Sequence, residues 1–357
     1  MKLPFSNKSI PGLIGIDISS SAVKMIELDQ DESHRYKIAH YAIEPLPRDA
    51  VVDGNIIQLD TVIDAVRRGL RRIGSRTKLA ALAMPSAAVI TKKILAPAEL
   101  GEDDLEIQVE TEATQYIPFP LDEINLDFQI IGPSAGNPDE LEILIAASRK
   151  EKIEDRVAVA EGAGIRPTIM DVEQYVLQAS CSEIRKAWSK EVTAETIALV
   201  DIGATLSHLI VLHKDEIVYT REQAFGGDLL TQEIASRYEM SLEEAELAKK
   251  HNDLPSDYDI EIFEPFRETV VQEILRLLQF FYSSTHFNKV DHIILAGGGC
   301  LLQDLSKKVM EATGVITELA NPFTLMTTGP KIKASQFQQD APMLLVACGL
   351  ALRKFHP

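Results

Sequence analysis

The sequence predicts an α/β protein of two lobes, with a small α+β subdomain inserted into the first lobe. An apolar strand that ends in an aspartate and a turn of small residues occurs twice, in residues 13–28 and 197–212. Such a duplication indicates two related halves. Strands alternate with amphipathic helices in both halves, which is typical of α/β proteins. The order β-α-β-β-α in residues 87–164 departs from that alternation and marks the insertion.

The length and charge of the chain limit the classes of protein that it can belong to. A chain of 357 residues is too long for one hydrophobic core and favours at least two domains. The formal net charge is −18, which opposes binding to nucleic acid and to anionic lipid headgroups and favours a basic peptide as partner. A local cluster of arginines is interpreted as the solvent-exposed face of a helix. It consists of Arg67, Arg68, Arg71 and Arg72.

The cysteines and the apolar segments indicate a cytoplasmic protein. Cys181, Cys300 and Cys348 lie far apart, so neither a disulfide framework nor a zinc site is expected. This usage favours a reducing compartment. The first residues lack the apolar core of a signal peptide, and no stretch offers the ~18 uncharged apolar residues of a membrane span.

The first lobe opens with a hairpin of two predicted strands, residues 14–18 and 23–28, around a serine turn. Gly15 is expected to keep the first strand slim where another backbone or a ligand approaches. The other predicted strands of this lobe are residues 36–43, 79–84 and 165–171. Its predicted helices, identified by their amphipathic spacing, are residues 61–73 and 172–188.

The inserted subdomain is assigned to residues 87–164. Its predicted strands are residues 87–94, 124–130 and 141–147. Its predicted helices are residues 103–116 and 150–162. Gly164 follows the second helix, where a glycine commonly terminates helices.

The second lobe repeats the opening of the first and adds helices. Its predicted strands are residues 196–202, 208–212, 217–219 and 290–295. Its predicted helices are residues 228–238, 241–250, 263–282 and 301–312, the second of which begins with a capping box at Ser241 and Glu244. A closing helix is expected at residues 343–353.

The predicted domain boundaries follow from this order of elements. The first lobe takes residues 1–86, 165–194 and 338–357. The second lobe takes residues 195–230 and 288–337, and residues 231–287 form its helical subdomain.

The two copies of the hairpin predict a site for phosphate and magnesium. Asp17 aligns with Asp201, each at the end of a buried strand, where a bare carboxylate is costly unless it faces a cation. The turns that follow can direct N–H groups toward an anion, and they consist of Ser19, Ser20 and Ser21 in the first copy and Gly203, Ala204 and Thr205 in the second. Two opposed turns can hold a polyphosphate, and the two carboxylates can hold a hydrated Mg²⁺. The simpler alternative for the first copy alone is an aspartate that caps an ordinary hairpin turn.

These residues resemble the motifs of the actin-like ATPase superfamily. The two hairpins look like its two phosphate motifs, and the F-G-G-D segment resembles the turn beside the phosphates. That turn contains Gly226 and Gly227. A strand that ends in Gly297, Gly298 and Gly299 is similar to its adenosine motif, and A-E-L-A-K looks like the helix that closes over adenosine, with Glu246 and Lys249.

The resemblance implies a two-lobed, ribonuclease-H-like fold that binds ATP. It also implies a Mg²⁺ ion held by Asp17 and Asp201, most simply through water. Each motif has an alternative: the three glycines would otherwise be a strand-to-helix turn, and Glu246 with Lys249 an exposed i,i+3 ion pair. A relative that keeps the fold without binding nucleotide is the alternative for the whole set.

Within this superfamily, the chain is similar to the cell-division protein FtsA and, more closely, to the PilM family of type IV pilus assembly proteins. The insertion after the early strands fits both families. The closer match is carried by Phe5 and Ser6, by the I-G-I-D-I-S-S-S-A-V-K opening, and by the segments at residues 112–120 and 170–174. FtsA relatives usually carry a C-terminal amphipathic membrane helix, and we expect no such anchor after the closing helix here.

The resemblance to the PilM family implies a partner and a location. Members bind ATP with Mg²⁺ and hold the N-terminal cytoplasmic tail of the inner-membrane protein PilN in a groove between the first lobe and the inserted subdomain. The protein is therefore expected in the cytoplasm, at the inner membrane only through its partner, with no nucleic-acid ligand. Other pilus motor and platform proteins are further candidate partners, and self-association stays open.

Hydrolysis of ATP would require a side chain that positions water near the end of the last strand of the first lobe. Asp171 is our candidate and Glu173 the runner-up, although Asp171 could equally cap the following helix. Lys24 could reach phosphate or could be a surface lysine of the hairpin. We expect slow hydrolysis or binding alone. The alternatives are a sugar-type kinase, an Hsp70-like chaperone and a filament-forming actin relative.

Overall fold

The structure is a computed structural model, and it describes residues 12–134 and 136–356. Phe5 and Ser6, which contribute to the family resemblance, lie outside the described residues. The strands, in chain order, are β1 Ile14–Ile18, β2 Ala22–Gln30, β3 Tyr36–Pro45, β4 Val51–Val52, β5 Asn55–Ile56, β6 Leu79–Met84, β7 Val89–Pro97, β8 Ile124–Pro133, β9 Glu140–Arg149, β10 Arg166–Val172, β11 Thr196–Ile202, β12 Ser207–His213, β13 Glu216–Gln223, β14 His292–Ala296, β15 Ile316–Leu319 and β16 Thr327–Thr328. The helices are α1 Leu59–Ile73, α2 Glu102–Tyr116, α3 Lys150–Ala163, α4 Glu173–Lys186, α5 Asp228–Arg237, α6 Leu242–His251, α7 Glu264–Ser284, α8 Leu305–Thr313, α9 Ala334–Asp340 and α10 Leu345–Leu352.

Two large mixed sheets form the frame of the molecule, one in each lobe. The first has the strand order β10-β6-β1-β2-β3-β16, and the second has the order β13-β12-β11-β14-β15. In both, an antiparallel hairpin (β1–β2 or β11–β12) lies beside a parallel strand (β6 or β14). The duplication predicted from the sequence is therefore a duplication of sheet topology.

The first sheet is covered by helices on both faces. Alternate residues of β1, such as Ile14 and Ile16, pack with α1 and α3, which lie on one face. The other face packs against α9 and α10. A Cβ on Gly15 would lie 2.3 Å from the carbonyl oxygen of Ala347, so the absence of a side chain lets α10 cross directly over β1. The expected close approach is confirmed, and the neighbouring group is the backbone of α10.

A central layer of two helices, α4 and α10, lies between the two sheets. Residues of α4 such as Leu177 and residues of α10 such as Leu350 belong to one buried cluster with Ile197 and Leu199 of β11. The intervening residues of β11, such as Val200, face the other way and pack with α7. Because β11 is apolar on both faces, it is buried on both faces, as in the parallel sheets of α/β proteins.

The inserted subdomain is a three-stranded antiparallel sheet with the order β7-β9-β8. Helix α2 covers it through Leu105 and Val109. Helix α3, which the sequence assigned to this subdomain, instead packs beside α1 on the first sheet through Val159 and Ala160. Strand β16, within the residues assigned to the second lobe, pairs with β3 of the first sheet. Sequence order did not indicate either placement, because both depend on contacts between distant segments.

The remaining general predictions concern cysteines and membranes. Cys181, Cys300 and Cys348 are free thiols and all are buried. None of the helices that the structure describes is long and apolar enough to cross a membrane.

Candidate functional site

A cleft with a volume of about 1370 Å³ runs between the two lobes and continues toward the inserted subdomain. It is lined by nearly all of the site residues that the sequence predicted, the exceptions being Asp171 and Gly226. The predicted lining residues are Asp17, Ser19, Ser20, Ser21, Lys24, Glu173, Asp201, Gly203, Ala204, Thr205, Gly227, Glu246, Lys249, Gly297, Gly298 and Gly299. Segments that are distant in sequence therefore meet at one site.

The two hairpins present equivalent acid–base pairs to this cleft. Asp17 of β1 lies opposite Lys24 of β2, and Asp201 of β11 lies opposite His208 of β12. The Nζ of Lys24 donates to Asp17 Oδ2 at 2.8 Å and to Ser19 Oγ at 3.0 Å. Lys24 is thus a half-buried cation that lines the cleft, and it is not a surface lysine of the hairpin.

The ionisable groups of the cleft perturb one another strongly. Burial raises the pKa of Asp201 above its usual value, although His208 and Lys24 oppose that shift. Burial alone would lower the pKa of His208, but Glu222, whose carboxylate lies 3.1 Å from Nε2, and the charges of Glu173 and Asp201 raise it to about 9. Burial also disfavours the charged form of Lys24, yet the carboxylate of Asp17 holds its pKa above the ordinary value. The cleft therefore holds carboxylates beside half-buried cations whose pKa values are shifted, which is typical of functional sites.

The turns that follow the two aspartates leave backbone donors available. Ser20 and Ser21, and likewise Ala204 and Thr205, donate no backbone hydrogen bond to another described residue. The F-G-G-D turn packs on the second of these turns, since the N–H groups of Gly227 and Asp228 donate to the carbonyl oxygens of Gly203 and Ala204 at 3.0 and 2.8 Å. Free N–H groups in adjacent turns form a concave site suited to an anion such as a phosphate.

Glycines let the end of β14 lie directly against Asp201. Gly297 has φ +82°, and a Cβ there would lie 2.3 Å from Asp201 Oδ1 and from the carbonyl oxygen of Ile202. A Cβ on Gly226 would lie 2.3 Å from the carbonyl oxygen of Ala204, so Gly226 acts through turn packing and does not line the cleft. Any side chain at either position would displace the turns that carry the site.

Glu246 and Lys249 lie on α6 at the wall of the cleft. Lys249 Nζ lies 2.6 Å from Glu246 Oε2, and both side chains bond the hydroxyl of Thr231. The i,i+3 ion pair foreseen as the alternative is present, and it faces the cleft. The ion pair is therefore confirmed, and the role of the two residues beside adenosine stays a prediction.

The structure corrects the choice between Asp171 and Glu173. The carboxylate of Asp171 forms an ion pair with Arg353 and is not among the groups that line the cleft. Nor does Asp171 cap α4, whose N-terminal cap residue is Val172. Glu173 does line the cleft, and its Oε2 is buried without a hydrogen-bond partner among the described residues. Glu173 therefore replaces Asp171 as our candidate for positioning water.

Sequence reasoning missed several residues of the cleft. His208 could have been found, because the alignment that places Asp201 on Asp17 also places His208 on Lys24. Arg156 of α3 had no local signal: it is buried, lines the cleft, and donates to the carbonyl oxygens of Ala83 and Gly54 at 2.9 and 2.8 Å. An ion pair between Arg48 and Asp228, at 3.4 Å, joins the two lobes.

The end of the cleft beside the inserted subdomain forms a groove that we call the apolar groove. Its wall on the subdomain side is mainly apolar and consists of Ile90, Ile117, Pro118, Phe119, Ile124 and Ala147. The charged residues on that side are Arg149 and Lys152. This wall therefore carries positive charge, although the net charge of the whole chain is negative.

Burial of Glu173 predicts a pH-dependent stability. Burial, with the charges of Asp17 and Asp201, raises the pKa of Glu173 from 4.5 to about 7, although His208 opposes the shift. The folded protein therefore keeps a proton that the unfolded chain has lost, so Glu173 lowers stability progressively as the pH rises from 4.5 to about 7. Glu173→Gln should raise the thermal unfolding midpoint at pH 8, with a gain of up to about 3 kcal/mol. The gain should vanish only below the unfolded pKa of 4.5, so a gain that is equal at pH 8 and near pH 4 would contradict this account.

Comparisons with known proteins agree with this fold. The family model for the type IV pilus assembly protein PilM matches residues 15–355. Among solved structures, the PilM–PilN type IV pilus biogenesis complex is similar with 27% identity and a TM-score of 0.78, over 97% of this chain and 99% of that one. The ethanolamine utilization protein EutJ from Carboxydothermus hydrogenoformans shares the fold, with 18% identity and a TM-score of 0.57, over 96% of this chain and 89% of its own.

A curated relative is the cell division protein FtsA of Bacillus subtilis (strain 168), which is 24% identical over 261 residues. That match includes 66% of this chain and 57% of FtsA, so the chain spans less than two thirds of the length of this relative. The predicted two-lobed actin-like ATPase fold is confirmed by the sheet topology and by these similarities. With the family model matching almost from end to end, the chain belongs to the family of the type IV pilus assembly protein PilM.

Proposed function

We propose that this chain is an ATP-binding scaffold of a type IV pilus inner-membrane complex, and that it holds the N-terminal cytoplasmic tail of PilN in the apolar groove. The observation that carries the proposal is the single cleft that joins the two hairpin turns to the apolar groove. The similarity to a PilM–PilN complex over 97% of the chain supports PilN as the partner.

The cleft offers hydrogen-bond donors that suit the phosphates of ATP and carboxylates that suit its Mg²⁺ ion. The free N–H groups of the two turns suit the phosphates, and Asp17 and Asp201 suit a Mg²⁺ ion that keeps several of its waters. Gly297 to Gly299, with Glu246 and Lys249, would enclose the adenosine. Since Asp17 and Asp201 bring negative charge to the cleft, we expect the nucleotide to bind only with its cation. ATP would supply binding energy that favours one arrangement of the two lobes.

The residues of the cleft are also suited to slow hydrolysis of ATP, or to binding of ATP without hydrolysis. Glu173 has a pKa of about 7, so it can accept a hydrogen bond from water or hold a proton near neutral pH. His208, protonated up to about pH 9, would hold positive charge close to the phosphates. Arg156 fixes α3, which follows the subdomain strand β9, to the first lobe beside Glu173. A change in charge at the phosphate end could therefore alter the groove, which is how nucleotide would tune partner binding.

The wall of the apolar groove suits an extended peptide with apolar side chains. Ile90, Pro118 and Phe119 offer apolar surface, and each fully buried aliphatic or aromatic side chain is worth about 1.5–3 kcal/mol. We therefore expect affinity to depend on apolar contacts more than on the net charge of the chain.

A direct binding measurement tests this proposal. A fluorescent peptide with the sequence of the PilN tail should bind the full chain saturably in an anisotropy titration, and the affinity should differ with and without Mg²⁺-ATP. A scrambled peptide of the same composition is the control. Equal binding of the tail and the scrambled peptide would overturn the proposed partner site, and an unchanged affinity with Mg²⁺-ATP would overturn only the tuning.

A further inference from the structure

A strongly basic surface interrupts an otherwise acidic chain. Residues 66–78 contain six cationic residues and no acidic residue, although the whole chain has a net charge of −18. The six side chains are exposed and belong to Arg67, Arg68, Arg71, Arg72, Arg76 and Lys78. We call this surface, together with Arg166, the basic face.

The helix that carries most of the basic face directs its cations away from the core. Val66, Gly69 and Ile73 of α1 are buried, so the arginines between them occupy the outer side of the helix. Gly74 ends α1 in the left-handed conformation, and the chain then leads to β6. Arg166, which is also exposed, joins the same surface because its N–H donates to the carbonyl oxygen of Lys78 at 2.9 Å.

Most of the charge of the basic face is not compensated. Arg67 pairs with Asp64 at 2.6 Å, and Arg68 and Arg72 share the single carboxylate of Glu44. The other four cations make no ion pair with a described acidic residue, and they are Arg71, Arg76, Lys78 and Arg166. Since charges in physiological salt are screened over about 8 Å, an approaching surface meets this local charge and not the net charge of the chain.

The composition of the basic face indicates the kind of partner. No large apolar side chain between Leu59 and Leu95 is strongly exposed, so this face lacks the apolar anchors on which protein–protein interfaces depend. Long flexible cations without such an anchor suit a plane of anionic headgroups. We propose that the basic face docks on the anionic phospholipid headgroups of the membrane that carries the peptide partner, an inference that rests on the proposed function.

The basic face and the apolar groove lie at the two ends of one helix. Lys152, in the first turn of α3, lines the groove, and Arg67 of the basic face donates to the carbonyl oxygen of Gly162 near the other end, at 2.7 Å. A helix of 14 residues is about 21 Å long, a distance that about six or seven extended residues can span. A tail that leaves the membrane can thus reach the groove while the basic face rests on the headgroups.

Lipid contact of this strength is measurable but weak by itself, and beside a bound tail it would chiefly orient the protein on the membrane. Each cation near an anionic surface strengthens partitioning by about fivefold. A bound tail would raise the local concentration of the protein at the membrane, and the two weak contacts would then reinforce each other.

Vesicle sedimentation tests the basic face. The full chain should sediment with vesicles of phosphatidylcholine and phosphatidylglycerol, and not with phosphatidylcholine alone, and added salt should release it. The triple variant R71Q/R76Q/K78Q should lose about a hundredfold in partitioning. The matched control is K190Q/K307Q/K331Q, which removes the same charge from exposed lysines elsewhere and should keep partitioning within a few fold.

The outcomes separate this inference from the proposed function. Both triple variants should bind the PilN tail peptide in solution with the affinity of the unchanged protein. If peptide binding is intact but the basic-face variant partitions like the control, the lipid inference is overturned and the proposed function stands. Binding of the unchanged protein to an acidic polypeptide but not to the mixed vesicles would also overturn it, in favour of an acidic protein partner. If the unchanged protein does not bind the PilN tail peptide, the proposed function is overturned instead.

Discussion

Asp201→Ala is expected to abolish binding of Mg²⁺-ATP in calorimetry. Asp201 is half-buried at the end of β11, faces Lys24 and His208, and lies against the glycine turn that follows β14. Without its carboxylate, the site loses one of the two acids that would hold the hydrated ion, and a cavity opens between the shortened side chain and that turn. We expect the affinity to fall at least a hundredfold, which corresponds to about 2.7 kcal/mol.

Asp171, which the sequence placed in the site and the structure places outside the cleft, provides a matched control. Asp171→Asn changes an acid that pairs with Arg353 outside the cleft, so it should lower the unfolding midpoint and leave nucleotide affinity unchanged. Circular dichroism would establish that both variants are folded. An unchanged affinity in the Asp201 variant would refute the site, and a loss of affinity in the Asp171 variant would refute the correction.

Phe119→Ala is expected to weaken binding of the PilN tail peptide by at least tenfold, or about 1.4 kcal/mol. Phe119 lies on the wall of the apolar groove, and 38% of its surface is exposed, so a peptide can cover it without disturbing the core. Arg149 lies 5.5 Å from the centre of its ring, which holds the ring in place. Truncation removes apolar surface from the groove and leaves Arg149 without its neighbour.

The control for the groove uses an exposed apolar residue of the same subdomain. Leu95 of β7 is 51% exposed and does not line the cleft. Leu95→Ala should leave the affinity for the peptide unchanged in the same anisotropy titration. Equal affinity of the Phe119 variant and the unchanged protein would place the peptide elsewhere, and weaker binding by both variants would indicate a general effect on the subdomain.

The duplicated hairpin made much of the fold predictable from sequence. It contains local information only: an apolar strand, an acid, a small-residue turn and a second strand. Two copies of one motif imply two copies of one topology. The repeat therefore predicted two related lobes with Asp17 and Asp201 in one cleft, as the structure has them. The same offset aligns Lys24 with His208, so the repeat also predicts that His208 lies beside Asp201.

Other features depend on contacts between distant segments, which no local pattern contains. Asp171 and Glu173 are two residues apart at a strand-to-helix junction, where the alternation of a strand no longer decides which side chain faces the cleft. The partner of Asp171 is Arg353, at the other end of the chain. Helix α3 follows the subdomain in sequence but packs on the first sheet. The net charge of the whole chain likewise does not reveal its local distribution, because six of the seven cations of the basic face lie in residues 66–78.

Hydrogen exchange of the full chain with and without Mg²⁺-ATP tests the central claim most directly, since the claim is that two distant turns form one nucleotide site. We predict that Mg²⁺-ATP slows exchange in both turns, residues 19–21 and 203–205, and at Gly297 to Gly299. Added PilN tail peptide should then slow exchange in residues 117–124 and 147–152 of the apolar groove. Protection of only one turn, or of neither, would contradict the account.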